Sequence, residues 1–250
     1  MGRDQEASAG TSTQRGLAPP RWLIVGIVLL TIVRLITAAT AGFSEDDAYY
    51  RLWGLAPAWG YYDHAPMVGW WAWLGMAFAG DTVLGVRLLA PLATGFGSLV
   101  MWRMAALLFD DRTATRSVLA FNAMSLVAIG SVVQTPDVPA LLFTGLALWA
   151  LTEWLRGGGA HWWFVVGAMA GLGLLSKYSV LFLGAGICLW LLATARTGCT
   201  GDVAAMGRRI AGAGAVPACG RLECDPRLGV VCQAVRAAGS RARGDVTLSR

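Results

Sequence analysis

The sequence predicts an all-α, polytopic integral membrane protein, and three observations support this fold class. Of the 250 residues, 56% are hydrophobic and only 14% are charged, whereas about a quarter of a soluble domain is charged. Apolar runs close to the roughly 20 residues that a helix needs to cross a bilayer recur along the chain. The basic residues are 19 arginines and one lysine. Most of these arginines flank the apolar runs, which is typical of membrane topology signals rather than of nucleic-acid binding.

Six transmembrane helices and one interfacial helix are expected between residues 22 and 196. The stretch Pro66–Ala79 is apolar but has only 14 residues, and three of them are tryptophans. We therefore expect it to lie along the membrane surface. The predicted spans are Trp22–Gly42, Thr82–Phe109, Ala114–Val133, Val138–Leu155, Trp162–Ser176 and Tyr178–Ala195.

The arginines also predict which face of the membrane each loop occupies. Residues 1–21 form an N-terminal tail with three arginines, and further arginines follow spans two, four and six. The positive-inside rule assigns these segments to the cytoplasm. The opposite face then receives residues 44–81, the turn at residues 134–137 and residues 176–178. All the distinctive polar motifs are therefore expected on the external face.

Two adjacent carboxylates, Asp46 and Asp47, open the first external loop. A run of acidic residues at a loop end is usually exposed to solvent without a specific task. Two neighbouring carboxylates also suit acid–base chemistry, in which one is the ionised base and the other a stabilising partner. The residues alone leave both interpretations open.

The pair Asp63–His64 is a second candidate in the same loop. Such a pair is commonly a structural hydrogen bond, but it also offers an acceptor beside a titratable donor at the membrane surface. Metal ligation by these two residues has weak support, because the same face offers no further histidine. We assign no metal ligand and no definite cofactor, and a divalent metal stays an open alternative.

Charged residues beside apolar segments provide the remaining candidates. Lys177 is the single lysine of the chain and lies between two apolar runs, where a charge needs a reason. It either extends to the interface or binds a phosphate at headgroup depth. Arg87 is a weaker candidate for the same phosphate-binding role. Asp137 follows Thr-Pro, which is also ordinary chemistry for a turn and a helix start.

Four motifs occur in the order DDAYYRLW from Asp46, WGYYDHAPMV from Trp59, TPDVPALLF from Thr135 and GLLSKY from Gly173. Together they resemble the polyprenol-phosphate-dependent glycosyltransferases of the C superfamily. The bacterial branch related to protein O-mannosyltransferases and to the lipid A aminoarabinose transferase is the most similar. The resemblance extends from about residue 22 to residue 195. The usual Asp-Glu pair is Asp46–Asp47 here, and Ala65 replaces the first of two prolines.

The resemblance implies transfer of a sugar from a polyprenyl phosphate to a lipid, glycan or protein acceptor, with inversion and without nucleic acid as a partner. It implies a multi-pass protein of the bacterial inner membrane, among membrane lipids, with a periplasmic active face. Asp46 then takes the role of catalytic base or acceptor orienter, and Asp47 is its partner. The remaining implied site residues bind the donor or line the pocket: Tyr49, Tyr50, Asp63, His64, Arg87, Asp137 and Lys177.

Residues 197–250 differ from the rest of the chain. They contain eight arginines, four of the five cysteines and no aromatic residue, and a disordered tail is expected there. The cysteine spacing fits no zinc template. Members of the family continue through further spans. When residues 222–236 are translated back into codons chosen for the purpose and read one base later, the new reading frame contains a Trp-Asn-Ala motif like that of the family. We therefore interpret the tail as a frameshift product that begins near residues 197–205, and a genuine short, basic, disordered cytoplasmic tail is the alternative. The main alternative to an active transferase is a catalytically inactive, truncated membrane fragment of such an enzyme. A transporter is the other, although no internal repeat supports it.

Overall fold

The computed structural model describes residues 18–196, and helices account for most of this segment. No β-strand occurs between those two residues. The expected tail at residues 197–250 and most of the N-terminal tail lie outside the described residues. The ten α-helices are α1 (Arg21–Thr40), α2 (Glu45–Leu55), α3 (Met67–Ala79), α4 (Val83–Arg87), α5 (Leu89–Leu108), α6 (Asp111–Ala123), α7 (Ser125–Gly130), α8 (Asp137–Leu155), α9 (His161–Leu174) and α10 (Leu181–Arg196), with a 3-10 turn at Tyr178–Val180.

Three helical segments have the length and composition to cross a bilayer. They are Arg21–Thr40, the 26-residue segment Val83–Leu108 formed by α4 and α5, and Asp137–Leu155. The shorter apolar helices are Met67–Ala79, His161–Leu174 and Tyr178–Ala193. These findings confirm that residues 18–196 are helical, without strands, and have the composition of a membrane protein, while the count of six spans stays a prediction.

The third predicted span, Ala114–Val133, is not one helix. The chain leaves helical geometry at Met124, whose backbone is extended with φ −66° and ψ 128°. Helices α6 and α7, of 13 and 6 residues, are each shorter than the roughly 20 residues that a span needs. The break falls between Asn122 and Ser125, two residue types with low helix propensity.

Helix α2 is an additional element inside the loop that the sequence assigned to residues 44–81. Ser44 begins it with a capping box: the Ser44 hydroxyl accepts from the backbone N–H of Asp47, and Asp47 accepts from the N–H of Ser44. Such a reciprocal cap satisfies two N–H groups that have no partner within the helix. The acidic run is therefore the first turn of a helix rather than a flexible loop end.

Helix α5 is the centre of the helical arrangement, because it packs against α1, α6 and α8. At one end of α5, Trp102 is almost fully buried among apolar side chains of α1 and α6, including Leu23 and Val118. Near the other end, Ala90 and Ala93 pack against Val138 of α8. Helices α2, α3 and α4 pack against one another beside the second end, so the first loop is held as a structured layer there.

A buried polar network crosses the helices near the break at Met124. Arg34 of α1 is buried, and its Nη1 donates to Oδ1 of Asn122 at 2.9 Å. The Asn122 amide donates in turn to Oγ of Ser98 at 2.9 Å. Asn122 is therefore the side-chain partner of this charge within α1. The network therefore joins α1, α6 and α5 at one level.

Close packing of α3 on α4 leads to a stability prediction at Gly75. A Cβ atom there would overlap the backbone carbonyl oxygen of Gly85, which has no freedom to turn away. Overpacking of this kind costs about 1–3 kcal/mol, so Gly75→Ala is expected to lower the free energy of unfolding by that amount. In the control Gly26→Ala, the new methyl group meets nothing within 4 Å. Unfolding of both variants in detergent tests this, and equal stability would contradict the packing described.

Candidate functional site

A cavity of about 870 Å³ opens among helices α5, α7, α8 and the start of α10. Its charged lining residues are Asp46, Asp137 and Lys177. Most of the remaining lining is apolar, and it follows α8 from Asp137 to Leu148, a distance of about 16 Å at the rise of an α-helix. The cavity therefore has charged groups where α2 and α8 begin and a long apolar wall beyond them.

The two adjacent carboxylates of the first loop have different environments. Asp46 is exposed, lines the cavity, and makes no hydrogen bond or ion pair with any other residue of the 18–196 segment. Asp47 is completely buried. Successive residues of a helix point about 100° apart, which is why one carboxylate faces the cavity while the next faces the packed interior.

Asp47 is fully engaged in structural contacts. Its Oδ2 accepts from the Ser44 hydroxyl at 2.6 Å and from Arg87 Nη2 at 2.5 Å, and its Oδ1 accepts from the Gln134 backbone N–H at 3.0 Å. Burial acts to raise the pKa of Asp47, but the hydrogen bonds from Arg87, Ser44 and Gln134 outweigh it and hold the pKa below its usual value. Asp47 is therefore an ionised anchor that ties α2 to the turn before α8.

The partner cation, Arg87, has no donor left for a ligand. Nε and Nη2 donate to Asp47, Nη1 donates to the carbonyls of Ala38 and Ala41, and Nη2 also donates to the carbonyl of Gly42. These bonds use all five N–H groups of a guanidinium. The carbonyls lie at the C-terminal end of α1, where a cation is stabilising. The geometry favours Arg87 as a support for the loop rather than as a phosphate ligand.

Lys177 and Asp137 form an ion pair at the charged part of the cavity. Nζ of Lys177 lies 2.5 Å from Oδ1 of Asp137, and the two side chains are 43% and 59% exposed. Both are therefore accessible to a ligand that enters the cavity. The structure thus brings residues that are far apart in the sequence, Asp46 on one side and this pair on the other, to one cavity.

The other predicted site residues form a second group beside α2. The Tyr49 hydroxyl donates to Oδ1 of Asp63 at 3.2 Å, and Nδ1 of His64 lies 3.2 Å from the same oxygen. Partial burial acts to raise the pKa of Asp63, but the contacts with His64 and Tyr49 lower it below its usual value. Asp63 is therefore a carboxylate that its neighbours keep ionised.

Tyr50 connects the two groups electrostatically. It is buried, and its pKa is raised to about 12 by burial first and then by the negative charges of Asp46, Asp63 and Asp137. The charges of three carboxylates from different parts of the chain thus act on one buried hydroxyl. Its ring centroid also lies 5.8 Å from that of His64. Tyr50 therefore contacts the second group, and the charges of Asp46 and Asp137 in the first cavity also act on it.

Three residues outside the predicted site hold the loop in shape. The rings of Trp53 and Tyr61 stack at 4.2 Å with an angle of 5° between their planes, and the Tyr61 hydroxyl donates to the Trp53 carbonyl. Gln134 is buried, and its side-chain amide donates to the Val68 carbonyl at 3.3 Å. The WGYYDHAP motif contains Tyr61, so the sequence could have drawn attention to this residue. The residues around Gln134 in the sequence give no sign that it links α3 to α2.

Between residues 18 and 196, no group of three or more His, Cys, Asp or Glu side chains is placed to hold a metal ion. The acids of the site are instead separated: Asp46 lies in the cavity, Asp47 binds Arg87, and Asp63 contacts His64. The charged chemistry that the cavity itself displays therefore comes from two carboxylates and one lysine.

The fold and cavity define a helical membrane protein whose accessible charged groups adjoin a long apolar wall. The sequence profile of the dolichyl-phosphate-mannose-protein mannosyltransferases matches residues 63–207, and the chain belongs to this family. This confirms the resemblance to polyprenol-phosphate-dependent glycosyltransferases. The match begins at Asp63, so Asp46 and Asp47 precede it.

Several curated relatives are similar over part of their length. A lipid A galacturonosyltransferase of Rhizobium johnstonii is 30% identical over 177 residues, which are 70% of this chain and 37% of the relative. Two undecaprenyl phosphate-α-4-amino-4-deoxy-L-arabinose arabinosyl transferases follow. The one from Pseudomonas savastanoi is 28% identical over 47% of this chain and 23% of its own length. The one from Pseudomonas aeruginosa is 29% identical over 52% of this chain and 24% of its own length. The chain thus spans well under half the length of these relatives. No solved structure matches it.

Proposed function

We propose that this protein is a membrane glycosyltransferase that moves a sugar from a polyprenyl phosphate to an acceptor on the periplasmic face of the bacterial inner membrane. The single observation that carries the proposal is the cavity, which combines an apolar wall with Asp46, Asp137 and Lys177. A polyprenyl-phosphate sugar has matching parts: a long apolar chain, an anionic phosphate and a polar ring. Membership of the mannosyltransferase family supports this assignment.

The donor is proposed to bind along α8. Its prenyl chain lies against the apolar wall that extends about 16 Å beyond Asp137, because apolar surface is favoured out of water. Its phosphate lies at Lys177, where an ammonium group stabilises negative charge as the leaving phosphate forms. Among residues 18–196, Lys177 is paired only with the exposed Asp137, so the phosphate binds by replacing Asp137 in a contact that is already accessible.

Asp46 is proposed to act on the acceptor as the general base. The acceptor oxygen attacks the sugar carbon that carries the phosphate, a new C–O bond forms, and the C–O bond to phosphate breaks. The electron pair of the broken bond leaves with the polyprenyl phosphate, and the acceptor proton passes to the Asp46 carboxylate. A single displacement of this kind inverts the sugar carbon. Asp46 suits the task because no residue among 18–196 occupies its oxygens.

Lipid A is the acceptor class that we favour. The name of one relative specifies lipid A as its acceptor, and the names of the arabinosyl transferases specify an undecaprenyl phosphate donor. The second group supports an acceptor site beside Asp46, because Tyr49 and Asp63 provide exposed hydrogen-bonding groups on the same loop and the half-buried His64 contacts Asp63.

Lys177→Met tests the donor part of the proposal. Hydrogen bonds to a charged group contribute about 1.5–3 kcal/mol, so the KM for an undecaprenyl-phosphate sugar is expected to rise about 10- to 100-fold. Lys177→Arg retains a cation and should show a much smaller increase. The measurement is the initial rate of sugar transfer against donor concentration in proteoliposomes. An unchanged KM in Lys177→Met would contradict the assignment of Lys177 to the donor phosphate.

A further inference from the structure

A second cavity, of about 480 Å³, lies between the start of α1 and the first turns of α6. Its lining includes Trp22 of α1 and, from α6, Asp111, Arg112 and Arg116. None of these residues belongs to the site described above. The cavity combines two guanidinium groups with an aromatic ring, whereas the first cavity combines carboxylates with an ammonium group.

The side chains of the two arginines of this cavity are open to a ligand, although the negative charge of Asp110 attracts Arg112. Their side chains are exposed and form no hydrogen bond or ion pair with residues 18–196. They are four residues apart and so lie on one face of α6, where two like charges destabilise a helix by about 0.2–0.5 kcal/mol. An anion between them would remove this repulsion. Asp111 supplies one negative charge to the lining, which leaves the cavity with net positive charge.

The position of the cavity indicates what kind of anion would reach it. Helix α1 begins at this cavity with Arg21 and, 20 residues later, ends near Ser44 and the first cavity. At 1.5 Å per residue its length is about 30 Å, which equals the hydrocarbon thickness of a bilayer. The second cavity therefore lies at headgroup level on the opposite face. Trp22 is 60% exposed there, as expected of an aromatic residue at a membrane interface.

We propose that this cavity binds the headgroup phosphate of an anionic phospholipid of the surrounding bilayer. Arg112 and Arg116 hold the phosphate, since guanidinium groups present paired donors that match phosphate geometry. Trp22 packs beside the glycerol and the first acyl carbons. Basic pockets between transmembrane helices on the cytoplasmic side are recognised sites for acidic headgroups. This lipid site is separate from the donor site and does not depend on the proposed transferase activity.

The test compares phosphatidylglycerol with phosphatidylcholine as ligands of the full chain. The number of each lipid retained by the purified protein is measured by native mass spectrometry after extraction from vesicles that contain equal amounts of both. Each basic residue near an anionic headgroup contributes about a fivefold preference. The double variant R112Q/R116Q is therefore expected to lose about 30-fold of the preference for phosphatidylglycerol, and each single variant about fivefold.

The matched control is R156Q. Arg156 is an exposed arginine whose Nη1 donates to the Leu107 carbonyl at the same end of the helices, and it does not line the cavity. It should retain the preference of the unchanged chain. An equal preference in R112Q/R116Q and the unchanged chain would overturn the proposal, as would an equal loss in R156Q. If the double variant does not fold, the fivefold losses in the two single variants decide the result.

Discussion

Replacing Asp46 by asparagine is expected to lower the rate of sugar transfer by about 10²- to 10⁴-fold, the usual contribution of a positioned general base. Asparagine has nearly the same shape but does not take up the acceptor proton at neutral pH. Because Asp46 is exposed and forms no hydrogen bond or ion pair within residues 18–196, its replacement should leave the fold intact. The measurement is kcat for transfer in proteoliposomes, together with the unfolding midpoint.

Glu45→Gln is the matched control for Asp46→Asn. Glu45 is an exposed carboxylate one residue earlier in the same helix, and it does not line the cavity. Its neutralisation makes the same change in net charge and should leave kcat within about threefold, well below the effect of losing a general base. If Asp46→Asn transferred sugar at the same rate as Glu45→Gln, the assignment of Asp46 as the general base would be contradicted.

Replacing Arg87 by methionine is expected to lower the free energy of unfolding by about 3–5 kcal/mol, the usual cost of removing one partner of a buried ion pair. The variant leaves the fully buried Asp47 carboxylate without its cation, and it leaves the carbonyls of Ala38, Ala41 and Gly42 without their donor. The measurement is chemical unfolding in detergent. Transfer activity should fall as well, because α2 carries Asp46 and is held by this pair.

Two further variants test whether the loss of stability comes from the buried Asp47–Arg87 pair rather than from the loss of any charge. Asp81→Asn removes one partner of the exposed Arg51–Asp81 pair, and surface pairs contribute about 0–1 kcal/mol. The double variant Asp47→Asn with Arg87→Met should be more stable than Arg87→Met alone, because no charge is then left buried. If Arg87→Met were no more destabilising than Asp81→Asn, the pair would not anchor α2.

The adjacent carboxylates show how far sequence reasoning reaches here. The sequence identified Asp46 and Asp47 as a candidate pair, and it treated both as facing the same site. The structure separates them, because Ser44 begins a helix and Asp47 occupies its third position as a cap. The Ser-x-x-Asp spacing is a readable signal for that cap. A helix start at Ser44 is enough to divide the pair into one exposed and one engaged carboxylate.

Other contacts have no local signal in the sequence. Arg87 pairs with Asp47 across 40 positions, and the Gln134 backbone binds Asp47 across 87. Only tertiary packing brings these residues together, so charge and spacing alone suggested a phosphate ligand at Arg87. The span at residues 114–133 was likewise read from its apolar content, which does not reveal the break at Met124. Apolar runs and ordered motifs were predictable because they depend on composition and order alone.

The most direct test of the central claim follows a labelled sugar. The full chain in proteoliposomes is given lipid A and undecaprenyl phosphates that carry galacturonic acid or 4-amino-4-deoxy-L-arabinose, the sugars that the names of its relatives specify. We predict that label leaves one of these donors, appears on lipid A, and releases one undecaprenyl phosphate for each sugar moved. Asp46→Asn should move label at least about 100-fold more slowly. Label that stays on every donor, or moves equally fast in Asp46→Asn, would contradict the account.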